Sequence, residues 1–77
     1  MVKKRLSELE PGQSAVIHSF ENDELLLKLM EMGCVPGEEI LVEMKAPLGD
    51  PISIKVADYQ LSLRIEEAHN IWVNLIN

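Results

Sequence analysis

The chain has 77 residues, 47% of them hydrophobic but only 4% aromatic, and its 13 acidic against 7 basic residues give a net charge of −6. A chain of this size buries only roughly 60% of the surface it exposes when unfolded, so it holds one thin aliphatic core and no separate active-site domain. Nucleic-acid binding, which draws on basic stripes and stacking aromatics, is disfavoured, and so is membrane insertion, since no apolar run nears the ~20 residues of a spanning helix.

In chain order, Lys3, Lys4 and Arg5 read as a solvated basic end. Leu6-Ser7-Glu8-Leu9 is a short helical or turn-like lead-in whose two leucines can plug one end of a barrel, and Pro11-Gly12 turns the chain. The first strand is predicted over 14–20, with Ala15, Ile17 and Ser19 on one face and Val16, His18 and Phe20 on the other. Both faces hold apolar residues, which leaves the buried one open. From Asp23 the period changes: Leu25, Leu26, Leu29, Met30 and Met32 recur at helical spacing, Asn22 or Asp23 can cap, and Gly33 closes a helix over about 23–32.

After Pro36-Gly37, strands are predicted over 39–45, 52–56 and 59–64, with Asp58 in the last reversal. Residues 66–69 suit one helical turn, and 71–76 a closing strand. The fold class expected is mainly β: a small SH3-like barrel of about five strands with one main α-helix, the whole of 1–77 forming one domain.

Candidate chemistry is sparse. His18, Cys34 and His69 are the soft metal-ligand side chains, and none belongs to a close pair of the kind that seeds a zinc or iron site. Glu66 and His69 would make at most one weak surface site, and no metal or other cofactor is expected. Cys34 is expected as a small buried hydrophobe, and as a lone cysteine it forms no internal disulfide, in keeping with a reducing compartment. Nucleophilic catalysis needs a nucleophile, a base and an orienter within reach of one another, and the serines and histidines stand in no such motif, so a non-enzyme is expected. The glycines are isolated turn residues, not a phosphate loop.

Between two alternating runs lies Ala46-Pro47-Leu48-Gly49-Asp50-Pro51-Ile52, where two prolines and a glycine force a rigid reversal. Asp50 there is expected to accept hydrogen bonds from nearby backbone N–H groups. This segment stands in register with Leu6, Leu9 and Pro11-Gly12, then Leu29, Met32-Gly33 and Pro36-Gly37, then Leu61-Ser62-Leu63-Arg64, Glu67-Ala68 and Ile71. In this set of landmarks the chain resembles the FeoA family from Leu6 to about Ile76.

The resemblance implies an SH3-like barrel in a small cytosolic accessory of bacterial ferrous iron uptake, working through contact with the cytoplasmic side of the ferrous iron permease FeoB. It also implies a role for Arg64, bracing the turn before Ala68 or facing a partner. Together with an apolar set on the helix too wide for one buried stripe, it marks Leu26, Met30, Pro47, Leu48, Gly49, Asp50, Pro51 and Arg64 as the expected partner surface. Self-association through the helix is open as well. The alternative is a metal-linked regulatory module, because similar SH3-like domains close metal-dependent repressors; the absence of a DNA-reading element before the barrel weighs against it.

Overall fold

In the computed structural model, which describes residues 3–76, six antiparallel strands form one sheet in the order β1-β6-β2-β3-β4-β5. The strands are β1 (Lys3–Arg5), β2 (Ser14–Phe20), β3 (Glu39–Lys45), β4 (Ile52–Val56), β5 (Tyr59–Leu63) and β6 (Ile71–Leu75). Two helices interrupt them, α1 (Asp23–Glu31) and α2 (Ile65–His69), and a 3₁₀ turn spans Leu6–Glu8. The mainly β, SH3-like expectation holds, with two corrections. Among the described residues there are six strands, not about five, and the hydrogen-bonded order ends at β1 and β5 instead of closing a barrel.

The extra strand comes from the basic end, which is not merely solvated. Lys3, Lys4 and Arg5 pair antiparallel with Asn74, Val73 and Trp72 of β6. Arg5 lies 4.2 Å from the centre of the Trp72 ring and Lys3 5.5 Å, a cation–π arrangement that anchors the strand without apolar alternation. Arg5 also donates to Glu21 at 2.7 Å and to the His69 carbonyl at 2.8 Å.

The buried face of β2 is that of Ala15 and Ile17, and a bulge explains why both faces looked apolar. His18 is skipped in the β2–β6 register, which passes from Ile17 opposite Val73 to Ser19 opposite Trp72. The extra residue reverses the alternation, so Phe20 turns back onto the core while His18 faces solvent. A second bulge at Glu43 does the same in β3. Ile40 and Val42 point inward, Met44 points out, and Lys45 turns in far enough to reach the Ser7 carbonyl at 3.2 Å.

The core is one aliphatic cluster that includes Leu6, Leu9, Ile17, Leu29, Ile40, Val42, Ile52, Ile54, Val56, Leu63, Ile71 and Val73, as scarce aromatics required. Leu6 and Leu9 are fully buried, and their 3₁₀ turn packs against α2. Each of the two turns opens alike: Arg5 N–H donates to Glu8 and Arg64 N–H to Glu67, each at 2.8 Å, so a glutamate three residues on satisfies the otherwise unpaired donor. No helix among the described residues is long and apolar enough to cross a membrane.

Candidate partner-binding surface

Helix α1 begins where predicted, with the Asn22 side chain accepting from Glu24 N–H at 2.8 Å. It ends at Glu31, with Met32 as its cap and Gly33 in the left-handed region at φ +96°. A Cβ at Gly33 would run into the Tyr59 hydroxyl, which donates to the Met32 carbonyl and ties the end of α1 to the start of β5. Leu25, Leu29 and Met32, at i, i+4 and i+7, form the inward stripe, with Leu29 fully buried. Leu26 is half-buried beside that stripe, while Met30 is 41% exposed and Leu27 69% exposed. Leu27 lies outside the expected surface set, yet its place two positions from both Leu25 and Leu29 puts it on the opposite side of the helix.

The reversal between β3 and β4 is built as its prolines and glycine suggest. Gly49 N–H donates to the Ala46 carbonyl at 2.7 Å and Ala46 N–H to the Pro51 carbonyl at 3.0 Å, with Gly49 at φ +87° and a cis peptide between Asp50 and Pro51. Pro47, Asp50 and Pro51 are exposed, Gly49 is half-buried, and Leu48 at the apex is 96% exposed. An apolar side chain held this far into solvent by a stiff turn contributes nothing to the core. The Asp50 carboxylate does accept a backbone N–H, but from Ile65 across the fold, at 3.0 Å.

That contact places the tip against α2, and α2 in turn meets α1. The Glu67 carboxylate takes Arg64 N–H on one oxygen and the Lys28 ammonium at 2.8 Å on the other. The Lys28 hydrogen bond, followed by the backbone N–H of Arg64, holds the Glu67 carboxyl below its ordinary value despite burial. Tip, α2 and α1 are therefore joined in series, carrying outward the exposed Leu48, Ile65, Leu27 and Met30. Arg64 is exposed and lines an open cleft with Asp50, Pro51, Ser62 and Leu63.

Among the described residues no group of three or more His, Cys, Asp or Glu is placed to hold a metal ion. Cys34 is buried, and its surroundings push the thiol up to about 11, mainly through desolvation and secondarily through Glu67. Among the described residues His18 bonds Ser19, at 2.9 Å, and both are strand residues.

The family described as "FeoA domain" matches residues 4–75. The Fe(2+) transport protein A/Fe(2+) transporter FeoB fusion protein of Porphyromonas gingivalis is 46% identical over 74 residues; these are 95% of this chain but only 9% of that protein's length. Among solved structures, an FeoA-like protein from Clostridium acetobutylicum is 36% identical with a TM-score of 0.92, covering 100% of this chain and 91% of that one. Stenotrophomonas maltophilia FeoA, solved with zinc and described as an SH3-domain protein, is 35% identical with a TM-score of 0.77 over 96% of this chain and 91% of that one. With a family match over nearly all of its residues and a sheet that superposes on family structures, the chain belongs to the FeoA family.

Proposed function

We propose that residues 1–77 act as one non-catalytic accessory domain of ferrous iron uptake, in the cytoplasm, by binding the ferrous iron permease FeoB. The observation that carries this reading is the fusion relative, whose name joins an FeoA part and an FeoB part in one polypeptide. A covalent link raises the effective concentration of one part for the other, which is of use where the two work in contact. The docking surface is the tip–α2–α1 series: Leu48 and Leu27 supply apolar contact, Met30 an adaptable one, and Arg64 a charge, while Pro47, Gly49, Asp50 and Pro51 hold the tip rigid and Leu26 supports the helix face. A preformed, stiff surface loses little entropy on binding. Titrating the purified chain against the isolated cytoplasmic region of FeoB tests the proposal. Saturable one-to-one binding is expected, and its absence at every attainable concentration rejects the reading.

A further inference from the structure

The two ends of the sheet are built differently. At one end β1 is three residues long and wholly basic, two of the devices by which sheet edges avoid pairing with other chains. At the other end β5 is Tyr59-Gln60-Leu61-Ser62-Leu63, with no charge and no proline. Its register with β4 runs unbroken from Val56 opposite Tyr59 to Ile52 opposite Leu63, whereas the β2–β6 and β3–β4 ladders are bulged. The two-residue reversal Ala57-Asp58 makes Val56 and Tyr59 the closing pair, so alternation turns the backbone groups of Gln60 and Ser62 away from β4. Among the described residues neither has a backbone partner beyond that ladder. This is an unbulged, uncharged edge with open donors and acceptors.

We infer that two copies of this chain pair edge to edge through β5, antiparallel, about a two-fold axis at Leu61. In that register Leu61 meets Leu61 of the second copy and Tyr59 meets Leu63 on one face. Gln60 lies opposite Ser62, and their outward N–H and C=O groups exchange hydrogen bonds on both sides of the axis. Just beyond the strand, Asp58 of each copy falls opposite Arg64 of the other; both residues are exposed, and neither belongs to an ion pair among the described residues. An axis at Gln60 sets Asp58 opposite Ser62, and one at Ser62 sets it opposite Glu66, so the Leu61 register is the one of the three that joins opposite charges. The strand itself brings no like charges together, the nearby Glu43 carboxylate being held by the Gln60 side-chain amide at 2.8 Å, and the complementary flanks make the second copy the fitting occupant of this edge. One pair of five-residue strands falls short of the ~1,200 Å² of a standard stable interface, so the dimer is weak and depends on concentration.

The test uses the purified chain alone and is independent of FeoB. Sedimentation equilibrium from micromolar to millimolar concentration should show a reversible rise from one to two chain masses. Ser62→Pro, which removes an outward N–H but no bond to β4, should abolish the rise and leave the thermal melt cooperative. Asp58→Lys should weaken association roughly tenfold by placing like charges together at both flanks, and Asp58→Lys with Arg64→Asp should restore it. A monomer at every concentration overturns the inference. So does a folded Ser62→Pro chain that still dimerises. If Ser62→Pro does not fold, the charge pair decides, and a double exchange that fails to restore association also overturns it.

Discussion

The ammonium of Lys28 reaches the Glu67 carboxylate at 2.8 Å, and this contact fixes α1 to α2. The Glu67 side chain is only 8% exposed, whereas that of Lys28 is 60% exposed. The pair is thus asymmetric: the carboxylate has left water, and the ammonium has largely stayed in it. Glu67 also caps α2 through Arg64 N–H, so one side chain serves both helices.

Replacing Glu67 should therefore cost more than replacing Lys28. Glu67→Ala is predicted to destabilise by about 2–3 kcal/mol, since it leaves the cap unmade as well as the pair, and Lys28→Ala by about 1 kcal/mol. Urea denaturation of both variants checks the order. Equal losses would mean that leaving the buried carboxylate without its ammonium costs as much as removing the carboxylate and its cap together.

The same carboxylate predicts a pH dependence. Its folded value is lowered from an ordinary 4.5, mainly by Lys28, so its contribution to stability is fully present above about 4.5 and is lost as pH falls through the lower folded value. Stability of the parent should fall on acidification below pH 4.5 with a steeper slope than that of Glu67→Gln, which has no proton to take up at this position. Parallel slopes would contradict the assignment.

Gly33 sits where the left-handed backbone and the Tyr59 hydroxyl both exclude a side chain. Gly33→Ala should cost at least 1 kcal/mol or so, more than the same change at Gly12, where a Cβ meets nothing within 4 Å. Thermal melts of the two variants separate the close approach from the backbone term they share.

A thiol pushed up to about 11 and buried among aliphatic side chains is almost wholly protonated and shielded at neutral pH. Native protein should therefore react with a thiol reagent at pH 8 far more slowly than denatured protein does. Rapid native labelling of Cys34 would mean that the core opens readily at the end of α1.

How much of this was legible in the sequence depended on where the determining contact lay. Pro47, Gly49 and Pro51 announced the hairpin because turn geometry is local, and Asn22 and Gly33 bounded α1 for the same reason. Lys3–Arg5 gave no sign of a strand, since what holds it is the Trp72 ring at the far end of the chain. The bulges at His18 and Glu43 left β2 ambiguous and sent Met44 outward, and neither a proline nor a glycine marks them. On the candidate surface, the wide apolar set of α1 correctly implied exposed side chains, but the link from tip to helix through Asp50, Ile65, Glu67 and Lys28 spans three elements and no local pattern encodes it.

Binding of Leu48→Asp and Leu27→Asp variants to the cytoplasmic region of FeoB, with thermal melts run in parallel, tests the tip–α2–α1 surface directly. Both side chains stand in solvent, at 96% and 69% exposure, so melting temperatures should stay at the parent value. Binding should fall at least about tenfold for each, as expected when a charge is forced into an apolar contact. If both variants, together with Met30→Asp and Arg64→Glu, remain folded and bind FeoB as tightly as the parent, this surface does not carry the interaction.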